Sequence, residues 1–355
     1  MKKRLFVDIH TVQTVPPSCV NRDDTGTPKT AVFGGVTRAR VSSQAWKRAM
    51  RLEFRNLLPD DEVGTRTKKI VEMVQKEIQA LDPALPDKKA EKAAMDALKN
   101  AGLKIKGAKE GTDALMLMSK KQAEALAQLS VDGAGDKEEY KKALRDNPSV
   151  DMALFGRMVA ADPSLNYDAA CQVSHAISTH AVANEYDYFT AVDDLGDEDS
   201  AGAGHIGVAE FNSSTLYRYA TVNVMELYKT IGQEAPEAVK AFIKAFVTTM
   251  PTGKQNSYAN RTIPSAVYIT IREDQPVSFA SAFEEAVPAT EKGYEIPSVE
   301  RLVKYAKKVT EFVDEPFAAY AVGEGLDELA DSKPFTVILD EVEKDLTELL
   351  PGGDA

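Results

Sequence analysis

Residues 33–51 read FGGVTRARVSSQAWKRAMR, and the fold prediction starts from this stretch. Its glycine pair, Gly34 and Gly35, lacks Cβ atoms and lets the backbone approach a ligand closely. Upstream, residues 13–42 contain repeated proline and glycine, which predicts a long loop of the kind that often carries function. Before that loop, the β-rich residues 4–12 (RLFVDIHTV) predict a strand. The sequence thus opens with a strand, a long loop and the start of a helix.

The helix begins at a serine pair. Ser42 or Ser43 can cap it, and it runs to Leu58 before a proline ends it. Free backbone N–H groups and hydroxyls at a helix start can bind a phosphate. Lys47 and Arg51 are four residues apart and share one helix face. The stretch therefore predicts a contact with a phosphate backbone; a capped helix with a solvated basic stripe is the alternative.

The 355 residues carry a net charge of −12, but the charge is unevenly distributed. Residues 1–51 hold ten basic and three acidic side chains, whereas residues 323–355 hold ten acidic side chains against two lysines. A basic segment on an acidic body predicts one face that binds a polyanion and a surface that otherwise repels nucleic acid. A solvated charged face explains the pattern equally well.

The composition, 43% hydrophobic and 28% charged, is typical of packed globular structure in one large domain or two smaller ones. No apolar run approaches the roughly 20 residues of a membrane span. The first apolar residues are interrupted by Asp8, too early for a secretory signal. Cys19 and Cys171 are too few for a disulfide framework or a zinc knuckle. We therefore expect a cytoplasmic protein with no membrane contact.

Residues 59–150 form a helical block between β-rich regions. Apolar periodicity and capping residues predict four helices, linked by glycine-containing segments: one through Ile70–Ile78, one over 90–101, one that begins after Ser119, and one over 136–145.

The β signals return after residue 150. They predict strands at 153–158, 173–181 and 265–272, and a protruding hairpin whose arms, 186–192 and 210–227, flank a tip rich in glycine and acid. Helices are predicted over 236–250, 278–287, 298–313 and 340–350. The mixture predicts an α+β sandwich with insertions.

Segments along most of the chain resemble, in order, the backbone subunit of the type I-E CRISPR surveillance complex, Cascade (the CasC family). The similarity runs from the first strand to about residue 290 and is weakest in the helical block and at the C-terminus. The matching residues are His10, 17–19 (PSC), 21–24 (NRDD), 33–35 (FGG), Arg40, 42–44 (SSQ), 47–51 (KRAMR), 156–158 (GRM), 176–177 (AI), 179–180 (TH), 189–194 (FTAVDD) and 217–220 (YRYA).

This resemblance implies a hand-like fold. A ferredoxin-like, RRM-type palm would comprise residues 1–58 and 151–355, including the C-terminal helices. Helical fingers would occupy 59–150, and a thumb hairpin 186–220. Copies would assemble head to tail along a CRISPR RNA, with other Cascade subunits at the ends, and each thumb would displace a base so that the remaining guide can pair with target DNA. The implied role is non-catalytic, without metal or cofactor.

A guide-RNA holder should bind phosphate and ribose rather than base edges. Candidate backbone contacts are Arg22, Lys29, Arg38, Ser42, Gln44, Lys47 and Arg51, and Ser42 and Gln44 could also sense the 2′-hydroxyl. Candidate apolar contacts to bases are Met158, Tyr188 and Phe189, and Lys254 lies in a loop that faces RNA or a neighbouring subunit. Residues 193–199 of the acidic tip would meet a basic patch on the next subunit, or form a solvated loop.

Two other functions stay open. Asp23 and Asp24 could hold Mg²⁺ for RNA cleavage, which would make the protein a metal-dependent endoribonuclease. Alternatively, a general single-strand binding protein would bind DNA and RNA of matched length equally. The four histidines lack the spacing of an HExxH zinc site.

Overall fold

Strand β1 (Phe6–Ser18) lies inside the main sheet of the computed structural model, which describes residues 4–159, 162–191, 194 and 206–352. It pairs antiparallel with β10 (Ala266–Arg272), in a register that runs from Phe6 opposite Arg272 to Val12 opposite Ala266. On its other side it pairs with β9 (Ile206–Asn223).

The remaining strands in the described part of the chain are β2 (Thr30–Phe33), β3 (Val36–Val41), β4 (Thr65–Thr67), β5 (Met116–Met118), β6 (Cys171–Val173), β7 (Ala176–Ser178), β8 (Glu185–Thr190) and β11 (Ala318–Gly323). The helices there are α1 (Ser43–Leu57), α2 (Ile70–Leu81), α3 (Asp87–Asn100), α4 (Lys120–Val131), α5 (Lys137–Arg145), α6 (Val150–Phe155), α7 (Val224–Ile231), α8 (Ala235–Thr248), α9 (Gln255–Tyr258), α10 (Glu295–Val309) and α11 (Phe335–Leu349).

The main sheet has the strand order β11-β10-β1-β9-β7-β3-β2, and β6 and β8 add to β9. Strands β4 and β5 form a separate antiparallel pair. A large antiparallel sheet with helices confirms the predicted α+β class. Among the described residues, no helix is long and apolar enough to cross a membrane.

The chain divides into two compact units. The first comprises Met1–Met50, Val173–Thr221 and Phe242–Asp345, and the second Arg51–Gln172, Val222–Ala241 and Leu346–Ala355. In the first unit, apolar residues of the sheet pack with α10 in one cluster and around Trp46 of α1 in another. In the second unit, helices α2 to α5 enclose a core of Ile, Val, Leu and Ala side chains. The second unit contains the whole of residues 59–150, for which the sequence predicts helical fingers.

The four helices predicted in that block are confirmed as α2 to α5. Ser119 caps α4 as expected: its hydroxyl accepts the Gln122 N–H, and the Gln122 side chain accepts the Ser119 N–H. The predictions for α8, β10, α10 and α11 are also confirmed, with ends displaced by up to five residues.

The prediction of a loop over 13–42 is correct only for residues 19–29. Strand β1 continues to Ser18, and β2 and β3 form a hairpin whose two-residue turn is Gly34–Gly35. Both glycines have positive φ, 60° and 79°, which is the conformation that a tight hairpin turn requires.

Three further predictions are wrong or partly wrong. Residues 153–158 are not a strand, because α6 extends through Phe155. The predicted strand over 173–181 is two short strands, β6 and β7, and the predicted helix over 278–287 is a single 3-10 turn at Ala280–Phe283.

The predicted hairpin is confirmed in its arms: β8 pairs antiparallel with β9, from Glu185 opposite Phe211 to Thr190 opposite Ile206. The second arm was predicted to reach Leu227, but it ends at Asn223. The Asn223 side chain accepts the Glu226 N–H and thereby starts α7. Most of the acidic tip, including 195–199, lies outside the described residues, as does His205.

Candidate nucleic-acid interface

The tip of the β2–β3 hairpin is fixed by a distant segment of the first unit. A Cβ on Gly34 would collide with the Glu284 carbonyl oxygen, so the turn touches that backbone directly. Arg38, on β3, is fully buried and donates to the carbonyls of Phe283 (2.9 Å), Glu284 (3.0 Å) and Ser178 (2.9 Å).

The burial of Arg38 conflicts with the predicted contact between this side chain and the RNA backbone. Its guanidinium stacks near the Phe33 ring and is committed to backbone carbonyls, with no surface exposed to solvent. An RNA phosphate could reach it only if these hydrogen bonds broke. Its role in this structure is to hold the hairpin in place.

The loop before the hairpin is organised by Asp23. Its Oδ1 accepts three hydrogen bonds, from the Thr25 N–H (2.9 Å), the Thr25 hydroxyl (2.7 Å) and the Thr27 N–H (3.1 Å). The hydroxyl bond of Thr25 lowers the pKa of Asp23. This carboxylate therefore shapes the loop, while its neighbour Asp24 is exposed. Among the described residues, no three potential metal ligands cluster.

Arg22 is exposed on this loop, and Lys254 stands at the start of α9 with a left-handed φ of 46°. Both lie near the buried thiol of Cys19: burial raises its pKa, and the positive charges of Lys254 and Arg22 oppose that rise. The structure therefore brings Arg22 and Lys254, 232 positions apart in sequence, to one region of the first unit.

Lys29 lies beside two residues that were not among the predicted contacts. Lys29 and Arg40 line one recess, and Arg40 Nη1 lies 3.2 Å from Nδ1 of His175. Burial lowers the pKa of His175, and the charges of Arg40 and Lys29 lower it further. The sequence signal for Arg40 was its position two residues after Arg38, on the same face of β3.

The start of α1 is capped as predicted, by Ser42. Its hydroxyl accepts the Ala45 N–H at 3.3 Å, and its own N–H donates to Oδ1 of Asn21 at 2.9 Å. The Ser42 side chain is buried, so it serves the helix rather than the solvent. Gln44 is exposed and Lys47 is half-buried.

Helix α1 is anchored by the face opposite its polar side chains. Trp46 is buried, and the Arg218 guanidinium lies 3.7 Å from the centre of its ring and 4.4 Å from that of Phe246. Arg218 also donates to Oε1 of Gln13 (2.5 Å) and to the Phe246 carbonyl. Burial lowers the pKa of Arg218 to about 9.

Arg51, one turn after Lys47, is not an unpaired cation. In the second unit its Nη1 lies 3.9 Å from Oδ2 of Asp151, a buried carboxylate that also accepts from the Gly64 N–H and the Ser149 hydroxyl. Burial raises the pKa of Asp151. Of the two cations predicted to contact a phosphate backbone from one helix face, Arg51 is therefore already paired within the protein.

Met158 is displayed by a rigid turn in the second unit. Its neighbour Arg157 is buried and donates to the carbonyls of Leu165, Leu117 and Leu144, and Gly156 has a φ of 80° at a position where a Cβ would crowd the Tyr167 carbonyl. Met158 itself is 84% exposed. It borders a recess lined by Leu103, Leu115, Met116 and Val159.

Tyr188 and Phe189 project from opposite faces of the β8–β9 hairpin, because neighbouring residues of a strand alternate. Tyr188 pairs with Val208 and is 63% exposed. Phe189 pairs with Gly207, and a Cβ on that glycine would collide with the Phe189 ring. Phe189 therefore lies over Gly207 and is 43% exposed, so Tyr188 is the more open ring of the pair.

The comparisons with known proteins agree with one another. The family model described as CT1975-like protein matches residues 7–349. A chain in a solved structure described as "CRISPR RNA-guided surveillance complex, pre-nicking" is 33% identical, with a TM-score of 0.83, over 96% of this chain and 100% of that one. A chain in a "CRISPR RNA-guided surveillance complex" is 31% identical, with a TM-score of 0.64, over 96% and 99%. No curated protein matches the sequence. The family match covers nearly the whole length, and the chain therefore belongs to the CT1975-like protein family.

Proposed function

We propose that this protein is a CRISPR RNA-binding subunit of a surveillance complex, and specifically the backbone (CasC-type) subunit of a type I-E Cascade. Two observations support the proposal: the family match and the likeness to chains of CRISPR RNA-guided surveillance complexes at more than 30% identity. The resemblance of the motifs around residues 21–51 to the CasC family supports the finer assignment.

One structural observation carries the RNA-binding role. In the described part of the first unit, Arg22, Lys29, Lys47 and Lys254 have no carboxylate within ion-pair distance, although acidic residues outnumber basic ones in the chain. Cations left unneutralised on an acidic protein indicate that an external polyanion supplies the counter-charge. Such contacts read phosphate rather than sequence, as a guide-RNA holder requires.

In the proposed assembly, copies of the chain repeat head to tail along one CRISPR RNA, and other Cascade subunits bind at its ends. Heterologous contacts of this kind generate open helical arrays. Each contact with RNA is modest, but repetition along one strand makes the whole complex tight. Tyr188 displaces a base at each repeat, and the stacked bases between repeats pair with target DNA.

The test is size-exclusion chromatography with light scattering, using CRISPR RNAs of two lengths. Stepwise growth of the protein mass with RNA length is expected. One protein per RNA at both lengths would refute the backbone role. A Lys29→Gln, Lys47→Gln variant should fail to assemble on either RNA, while its mass without RNA stays equal to that of the wild type.

We also propose that the role is non-catalytic and specific for RNA. Incubation with single-stranded RNA and Mg²⁺ should leave the RNA intact; cleavage that disappears in Asp24→Ala would instead establish the endoribonuclease. Equal affinity for DNA and RNA of matched length would establish the general single-strand binding protein. A preference for RNA is expected because ribose hydroxyls add contacts.

A further inference from the structure

A small recess with a mixed polar and apolar lining lies in the first unit where β1, β3 and β9 meet. Lys29 and Arg40 both line it, together with the polar side chains of Asn21, Asn212 and Ser214. Within the described residues, neither cation has a carboxylate within 4.0 Å. Two cations therefore share one recess without a counter-charge from the protein.

Arg40 is held in a defined orientation. Its Nε donates to the Thr30 carbonyl at 3.3 Å, across the β2–β3 hairpin. Its Nη1 lies 3.2 Å from Nδ1 of His175. These bonds fix two sides of the planar guanidinium, and Nη2 has no partner in the described part of the chain.

The contact with Arg40 determines which ring nitrogen of His175 carries the proton. A guanidinium can only donate, so Nδ1 of His175 must accept, and the single proton of the neutral ring lies on Nε2. Partial desolvation of the imidazole and the charges of Arg40 and Lys29 lower the pKa of His175, and both effects favour the neutral ring. His175 is exposed, so it presents an Nε2–H donor.

We propose that Lys29, Arg40 and His175 form a binding site for one phosphate group of the RNA backbone. Arg40 Nη2 and Lys29 Nζ supply the positive charge, and His175 supplies a neutral N–H donor whose tautomer Arg40 fixes. This site rests on the proposed RNA-binding function and adds two residues, Arg40 and His175, to it. The phosphodiester oxygen is the chemistry recognised, because Arg40 and Lys29 have no carboxylate within 4.0 Å in the described part of the chain, and His175 lies next to Arg40 as a neutral donor.

The two new residues should affect binding differently. Loss of Arg40 removes both a charge and a hydrogen bond, so Arg40→Gln should weaken binding of labelled oligouridylate about tenfold and reduce the slope of log K against log salt by about 0.7. Loss of His175 removes a hydrogen bond but no charge. His175→Leu should therefore weaken binding about fivefold and leave the salt slope unchanged. His175→Gln, whose amide can accept from Arg40 and donate to phosphate, should restore most of the affinity.

Arg4→Gln is the matched control. Arg4 is exposed and also donates to a backbone carbonyl, that of Asp274, but it lies at the opposite end of β1, about 35 Å from the recess. It should leave affinity and salt slope close to wild type. Fluorescence anisotropy at neutral pH measures all four variants.

The outcomes separate this inference from the proposed function. If the wild type fails to bind oligouridylate, the RNA-binding proposal falls. If the wild type binds but Arg40→Gln behaves like Arg4→Gln, the phosphate site alone is overturned. A reduced salt slope in His175→Leu would show that His175 binds as a cation, which contradicts the tautomer assigned to it.

Discussion

The Arg218 guanidinium stacks 3.7 Å from the centre of the Trp46 ring, and no carboxylate accompanies it among the described residues. This contact joins strand β9 to helix α1. A buried cation is costly unless its donors are satisfied, and here the π-face of Trp46 and the Gln13 side chain supply most of the compensation. The start of α1, with Gln44 and Lys47, is thus held by an interaction on its buried side.

Replacement of Arg218 by lysine should therefore be disruptive despite the retained charge. A lysine ammonium cannot stack on Trp46 while it donates to Gln13 and to the Phe246 carbonyl. We expect the free energy of unfolding to fall by about 2–4 kcal/mol. Trp46 is the one tryptophan of the chain, so its fluorescence during urea denaturation reports the loss directly. Wild-type stability in Arg218→Lys would contradict this account.

Two titratable groups on β1 are buried in one network. Asp8 accepts from the Tyr219 hydroxyl (3.0 Å) and the Val277 N–H (2.8 Å), while Nδ1 of His10 lies 2.9 Å from the Tyr217 hydroxyl. Burial raises the pKa of Asp8 to about 6 and lowers the pKa of His10 to about 3. Both groups are therefore held neutral in the folded protein at mildly acid pH.

The two shifts have opposite effects on stability. The contribution of Asp8 is complete below its ordinary pKa of 3.8 and is lost as pH rises to about 6. The contribution of His10 is complete above its ordinary pKa of 6.5 and is lost as pH falls to about 3. Between these pH values, stability falls with rising pH because of Asp8 and rises with rising pH because of His10. Asp8→Asn should make stability rise with pH across this window, and His10→Gln should make it fall, each by up to about 1.4 kcal/mol per pH unit. Urea denaturation at several pH values in this window measures the free energy of unfolding of both variants. If it changed with pH in the same direction in Asp8→Asn and His10→Gln, the opposite effects assigned to Asp8 and His10 would be wrong.

Substitution of Tyr188 and substitution of Phe189 should have different effects. Tyr188→Ala removes an exposed ring, so we expect an intact β8–β9 hairpin but a loss of about 1–3 kcal/mol in stacking with the displaced base. Phe189→Ala uncovers Gly207 and should loosen the hairpin itself. Amide hydrogen exchange of β8 distinguishes the two variants, and chemical probing of the bound guide reports base displacement. Faster exchange in Tyr188→Ala than in Phe189→Ala would reverse the assignment.

Substitutions of Lys47 and of Arg51 should likewise have different effects on RNA binding and on stability. Lys47→Ala should weaken RNA binding and reduce its salt slope by about 0.7 without altering stability. Arg51→Ala leaves the buried Asp151 without its cation, so stability should fall by about 1–2 kcal/mol while the salt slope changes little. Thermal unfolding and salt titrations of both variants provide the measurement. Equal reductions in salt slope would show that Arg51 exchanges Asp151 for phosphate.

Sequence patterns correctly predicted the features that depend on residues close together in the chain. The Ser42 and Ser119 caps and the apolar face of α2 were correct, because capping and helical periodicity depend on residues within a few positions. The segment 153–158 was misassigned because a short apolar run fits a buried helix as well as a strand. The proline and glycine content of residues 13–42 predicts a loop, but two glycines between β-rich runs also favour a hairpin, which is what Gly34–Gly35 form.

The site residues show where local patterns fail. Arg38 and Arg40 lie on the same face of β3, yet Arg38 is buried by carbonyls some 245 positions later in the chain, and Arg40 is not. Arg51 has the helical spacing expected of a partner for Lys47, but its neighbour is Asp151, one hundred positions away. Spacing predicts which side chains share a face, whereas partners from distant segments decide which of them stay available.

The position of β1 in the sheet affects how the chain matures. Its neighbours, β9 and β10, begin at residues 206 and 266, so a nascent chain emerging from the ribosome holds β1 unpaired through most of its synthesis. Such long-range pairing is slow and delays folding of the sheet until late in translation. A chain that terminates before β10 therefore leaves one side of β1 unpaired, so incomplete copies would lack the complete sheet and expose the unpaired backbone groups of β1.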